Sequence, residues 1–146
     1  MNELLQNPQL NIPVVNGSAF IPSDFRIGNY VASKQWKGYG QIEGIEVLQD
    51  RIDFKVKGFI HSIEKDKYFD LRELKLSSDL LLKAGFQKDG ILYSKDKFAI
   101  KEWKVGSEIE WVIFWGNNVI LYERNYQFHK LQNLLYSLSG SELSLS

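Results

Sequence analysis

Residues Glu108 to Gly140 read EIEWVIFWGNNVILYERNYQFHKLQNLLYSLSG, and a change of hydrophobic period inside this stretch decides the fold class. From Glu108 to Trp115 the period is two: Ile109, Trp111, Ile113 and Trp115 share one face, while Glu108, Glu110, Val112 and Phe114 share the other. Gly116-Asn117-Asn118 is a tight-turn signal, so Val119 to Glu123 is expected to return as the second strand of a hairpin. From Tyr126 the period becomes that of a helix, with Phe128, Leu131, Leu134, Leu135 and Leu138 on one side and Gly140 as its stop. The wholly apolar sheet face needs a cover, and the terminal helix is the simplest one. Each Trp or Leu buried in that layer contributes on the order of 1.5 to 3 kcal/mol, so the layer is expected to dominate stability.

Upstream, Asp89-Gly90 and Lys95-Asp96 turn the chain into Ile91 to Ser94 and Phe98 to Trp103, giving four meandering strands before the terminal helix. Ser77-Ser78-Asp79 supplies a cap and a first-turn acid ahead of LLLKAGF, and Gly85 supplies a left-handed stop, which predicts a short helix. Between Arg26 and Ile63 the pattern is one of short strands. Arg51 to Lys57 alternates Ile52, Phe54 and Val56 against Asp53, Lys55 and Lys57, and Gly44 and Gly58 suit bulges or sharp bends. A small curled antiparallel sheet, a barrel of the Src-homology-3 type, is the expected product. Met1 to Phe25 carries all three prolines and reads as an extended arm. The expected fold is therefore α+β, with an arm over residues 1–25 and a single domain over 26–146. Within that domain a barrel-like sheet spans 26–75, and a helix, a meander and a longer C-terminal helix span 76–143.

Composition narrows the function classes. The chain has 146 residues, enough for one well-buried core, and its 18 basic and 18 acidic residues cancel. No net field draws it to nucleic acid, which would need a local basic patch. With no cysteine there are no disulfides, thiolate metal sites or cysteine nucleophiles, and the reading is of a protein of the cytoplasm. Neither a secretory signal nor a membrane span is legible. Aromatic residues make up 14% of the chain, a proportion that serves strand packing first and stacking on flat ligands second.

The chemistry-bearing motifs are few. His61 and His129 are the only histidines, and no metal-binding spacing, no serine-nucleophile elbow and no phosphate-binding glycine loop is present. Glu108 and Glu110, two apart on one strand face, read as a solvated face before they read as an acid/base pair. Two places offer a binding surface. The loop Lys34 to Tyr39 interleaves Trp36 and Tyr39 with Lys34 and Lys37, the residue types that stack a base and hold a phosphate, or that pack Trp36 into the end of the sheet. On the terminal helix His129, Gln132, Asn133 and Tyr136 share a polar flank, with Arg124 nearby, and this set suits either a polar ligand or hydrogen bonds to neighbouring loops.

Three stretches carry a resemblance: Arg26-Ile27-Gly28-Asn29-Tyr30-Val31; Leu76-Ser77 with Leu81-Leu82-Lys83-Ala84-Gly85-Phe86; and His129-Lys130-Leu131-Gln132-Asn133-Leu134 continuing to Leu138, Gly140, Glu142 and Leu143. Together they resemble a family of small uncharacterised proteins of phages and prophages of Bacteroidota. The chain departs from the family's terminal pattern at Leu135, Tyr136, Ser137 and Ser139, where the family tends to have Tyr, Phe, Ala and Thr. The resemblance implies a phage or prophage origin and transfers no catalytic residue. The expected function is that of a non-enzymatic binding protein without cofactor, acting in the host cytoplasm. Its expected partner is a nucleotide-like small molecule or a host defence protein, and a homo-oligomer fits the same picture. A virion part and an enzyme with dispersed residues are the alternatives.

Overall fold

A computed structural model describes residues 22–64 and 70–145. The expected arm lies outside the described residues up to residue 21. The chain divides into two compact units, one ending at Leu74 and one beginning at Lys75, and each contains a five-stranded antiparallel sheet.

In the first unit the strands are β1 (Tyr30–Ser33), β2 (Gly40–Val47), β3 (Arg51–Val56), β4 (Phe59–Glu64) and β5 (Leu71–Arg72), in the order β4-β3-β2-β1-β5. The alternation in β3 is realised: Ile52, Phe54 and Val56 are buried and Arg51, Asp53 and Lys55 face outward. They join Val31, Ile42, Ile63, Leu71 and Phe25 in one apolar core. The β2–β3 register slips between Ile42 and Gly44, which places the expected bulge in β2. Lys57 and Gly58 both have positive φ, so the two-residue β3–β4 loop has the backbone twist that suits a tight hairpin.

The sheet does not close into a barrel. Its two edges are β4 and β5, and β5 has only two residues, which pair with Ala32 and Ser33 of β1. Side chains span the opening where a backbone ladder does not. Ser33 Oγ donates to Asp70 Oδ2 at 2.9 Å, and Asp70 Oδ1 lies 3.2 Å from His61 Nδ1 on β4.

In the second unit α1 (Ser78–Lys83) is capped by Ser77, whose side chain accepts from the Leu80 amide, and Gly85 follows its end at φ 95°. The strands are β6 (Gln87–Asp89), β7 (Leu92–Lys95), β8 (Phe98–Val105), β9 (Glu108–Trp115) and β10 (Asn118–Arg124), each paired with the next. The sheet thus has five strands where four were expected. The addition, β6, is exposed and polar, so it carries no hydrophobic period and is held by its hairpin with β7. Helix α2 (Phe128–Ser139) closes the unit and ends at Gly140 in the left-handed conformation. Trp111, Ile113, Phe128, Leu131 and Leu135 are buried, as their periods require, whereas Leu134 is half-buried and Leu138, in the last turn of α2, is exposed and falls outside the packing face expected for it. No helix among the described residues is long and apolar enough to cross a membrane.

Gly40 shows how tight the first unit is. A Cβ there would lie 2.7 Å from Val56 Cγ1, inside the sheet's core face. Gly40→Ala is expected to lower stability by about 1 to 3 kcal/mol in urea denaturation, the usual range for overpacking. Gly44→Ala, whose Cβ would meet its nearest atom at 3.8 Å, should cost clearly less. Equal losses at the two positions would contradict the packing described.

Candidate functional site

The strands of the second unit differ in length, and the difference creates a cleft. β8 pairs with β9 along its whole length, from Phe98 to Val105, but with β7 only from Phe98 to Lys101. Beyond Lys101 the Glu102 amide donates to the Ile91 carbonyl at 2.8 Å, and the last residues of β8 continue with a strand on one side only. The β6–β7 hairpin turns beside them through Gly90 and Ile91, with Gly90 at φ 66°. Lys88, Gly90, Ile91, Glu102, Trp103 and Lys104 line the resulting cleft of about 350 Å³. That is the small end of the range for small-molecule sites.

Its side chains form a coherent set. Trp103 is 52% exposed, and Lys101 Nζ lies 5.5 Å from the centre of its ring. Lys88 Nζ lies 5.5 Å from the Tyr93 ring. Among the described residues neither Lys88 nor Lys104 has a carboxylate partner, so the cleft carries two ammonium groups not neutralised by an ion pair. Glu102 is buried and fixed from below. Its Oε1 accepts from the Tyr93 hydroxyl at 2.9 Å, and Ser78 Oγ, at the start of α1, lies 2.6 Å from the same phenol oxygen. A phenol has one proton and a carboxylate only accepts, so Tyr93 donates to Glu102 and Ser78 donates to Tyr93. Glu102 Oε2 takes no hydrogen bond among the described residues. The site thus combines an indole face, cations and one oriented acceptor.

Neither surface expected from the sequence shares residues with this cleft; one belongs to the first unit and the other to the second. Trp36 is half-buried against the core of the first unit, and its ring meets His61 edge-on at 5.1 Å with Lys57 Nζ 5.3 Å from the ring centre. Tyr39 packs edge-on against Tyr30 at 5.6 Å, and Lys37 is exposed. Trp36 Nε1 and His61 Nε2 are both buried without a hydrogen-bond partner among the described residues. Both aromatics of this loop make packing contacts within the first unit. The Ser33, Asp70 and His61 groups run hydroxyl, carboxylate, imidazole, an order in which the ring does not activate the hydroxyl as it does in a nucleophilic triad.

In the second unit the polar flank of α2 is divided. His129 and Gln132 are fully buried, Asn133 is half-buried and Tyr136 is exposed. Gln132 Nε2 lies 3.3 Å from both the Leu143 carbonyl and Glu142 Oε2, so it ties the segment after the helix to the helix itself. Arg124 is also committed: it donates to Glu108 Oε1 at 3.0 Å and to Glu110 Oε2 at 2.6 Å, while the Tyr122 hydroxyl donates to Glu110 Oε1. The Tyr122 hydrogen bond, then Arg124, hold the Glu110 carboxyl below its usual range. The strand face read as solvated is in fact a linked network.

Neither protein-family models, nor curated proteins, nor solved structures gave a match to this chain. The cleft residues were missed by the sequence reading, yet a signal for them existed. Lys101-Glu102-Trp103-Lys104 repeats the Lys-x-Trp-Lys pattern of Lys34-Gln35-Trp36-Lys37, but it lies within a strand and not in a turn, where binding residues concentrate.

His129 gives a test of the burial on α2. Burial, and secondarily Lys130, lower its pKa from 6.5 to about 4. Between those values the unfolded chain binds the proton that the folded chain refuses, so stability falls as pH falls through this window. Denaturation midpoints at about pH 7.5, 5.5 and 4.5 should decline in that order, and His129→Gln should flatten the decline. An identical slope in the variant would assign it to other groups.

Proposed function

We propose that this chain is a non-enzymatic binding protein that sequesters a nucleotide-like small molecule in the cleft beside Trp103. The observation that carries the reading is the pair of lysines, Lys88 and Lys104, that have no carboxylate partner among the described residues and line the same cleft as a half-exposed indole. Ammonium groups attract a phosphate, the indole offers a face to a heterocycle, and Glu102 accepts from a ring N–H or a sugar hydroxyl. The net charge of the chain is zero, so attraction is local to the cleft and suits a small anion better than a long polyanion. The committed polar groups elsewhere support binding over catalysis, since Ser33 donates its proton to Asp70 and not to the imidazole. The resemblance to phage and prophage proteins supplies the setting: a protein made in the host cytoplasm that withholds a signalling or metabolic nucleotide from a host defence system.

Native mass spectrometry and calorimetry with a panel of nucleoside monophosphates test this. One nucleotide is expected to bind each chain and to be recovered unchanged after denaturation. Lys88→Ala with Lys104→Ala should weaken binding at least about tenfold and reduce its salt dependence. Trp103→Ala should weaken binding by about 1 to 3 kcal/mol, the usual value of base stacking on an aromatic ring. Absence of saturable binding across the panel would overturn the reading and move the search to protein partners and virion fractions.

A further inference from the structure

We infer that Glu102 makes the cleft selective for guanine among the nucleobases. The selection rests on the cleft taking a nucleotide, and it follows from the direction in which one carboxylate can bond. Glu102 is 9% exposed and lines the cleft, and its Oε1 is occupied by the Tyr93 hydroxyl, itself held by Ser78. The remaining oxygen, Oε2, presents lone pairs and no proton. A base edge that meets it must bring donors and no facing acceptor.

Guanine alone among the common bases offers two adjacent donors, the ring N1–H and the exocyclic amino group, along one edge. Both can converge on the one free oxygen, Oε2, which has two lone pairs. Adenine and cytosine place an amino donor beside a ring-nitrogen acceptor, whose lone pair would oppose Glu102. Uracil and thymine flank a single N–H with two carbonyl oxygens, which repel the carboxylate from both sides. Hypoxanthine has the N1–H without the amino group, so it should stand between guanine and adenine. The surroundings sharpen the discrimination. The carboxylate is buried and oriented from within the sheet, so it cannot swing into bulk water to avoid a wrong edge. Trp103 gives every base the same stacking face, and Lys88 and Lys104 give every 5′-phosphate the same attraction, so Glu102 is the group in this cleft that tells one base from another.

The size of the cleft, about 350 Å³, suits one nucleotide. A guanine nucleotide could come from the free mononucleotide pool or as one half of a linked dinucleotide, and the shared chemistry is a guanine ring bearing a phosphate. Titration calorimetry of the full chain with guanosine, inosine and adenosine 5′-monophosphates, and with a guanine-containing dinucleotide, separates these cases.

Guanosine monophosphate is expected to bind at least about tenfold more tightly than adenosine monophosphate, with inosine monophosphate between them. Tighter binding of the dinucleotide than of the mononucleotide would identify a linked source; the reverse would identify the free pool. Glu102→Gln keeps the side chain's shape and can still accept from Tyr93 through its carbonyl oxygen. It then turns an amide donor toward the ligand, so the guanine preference should fall to about onefold or reverse while adenosine monophosphate keeps at least its original affinity. Equal affinities for the three monophosphates in the native protein would overturn the selectivity while leaving nucleotide binding intact. Binding of none of them would overturn both.

Discussion

The features of the second unit that bear on function follow from one inequality: β8 is eight residues long and its neighbour β7 is four. A strand that outruns its neighbour leaves its last residues with hydrogen-bonding groups and side chains open on one flank. Here those residues include Trp103 and Lys104, and the turn of the β6–β7 hairpin sits beside them at the Ile91–Glu102 hydrogen bond. A cleft results without any loop insertion. Because its walls are a strand and a hairpin, its side chains are placed by pairing register, which is more exact than placement on a free loop. The same pairing sets Glu102 opposite Trp111 on the face that also carries Tyr93, so the acceptor is fixed by the sheet that exposes the indole.

The first unit solves a different problem. Its sheet has two edges that do not meet, and a two-residue β5 offers little backbone to pair with. The Ser33, Asp70 and His61 side chains bridge the opening, and Trp36 lies against His61 over the apolar core. This arrangement links a histidine, an acid and a serine across the opening of the sheet. Their order, with the carboxylate in the middle, is what distinguishes a brace from a nucleophile relay.

Much of this architecture was legible in the chain because local period and burial agree. The Glu108–Trp115 strand, both helices with their glycine stops, and the β3 alternation were readable, since each buries most of the face that its sequence makes apolar, with Leu138 in the last turn of α2 the exception. Strand β6 was not readable, because an exposed Gln-Lys-Asp triplet has no period and exists by pairing with β7. Barrel closure was overestimated for a related reason: composition reports that strands are short, and whether two short edges meet depends on distant residues. Of the proposed binding residues, Gln132 and Arg124 had their donors committed to partners 10 or more positions away, Leu143, Glu142, Glu108 and Glu110. Helical spacing can show which residues share a flank but not what covers it. The cleft was missed because Trp103 and Glu102 project from opposite faces of one strand, and only the early end of β7 brings both to the same opening.

We propose that the notch at the start of β7, rather than the Trp36 turn or the flank of α2, is where this protein meets a small anionic ligand. Amide-resolved NMR during titration with guanosine monophosphate tests it most directly. Saturable shifts are expected at Lys88 to Ile91 and Glu102 to Lys104, together with the Trp103 indole N–H. Shifts concentrated instead at Lys34 to Tyr39 with His61, or along His129 to Tyr136, would contradict it.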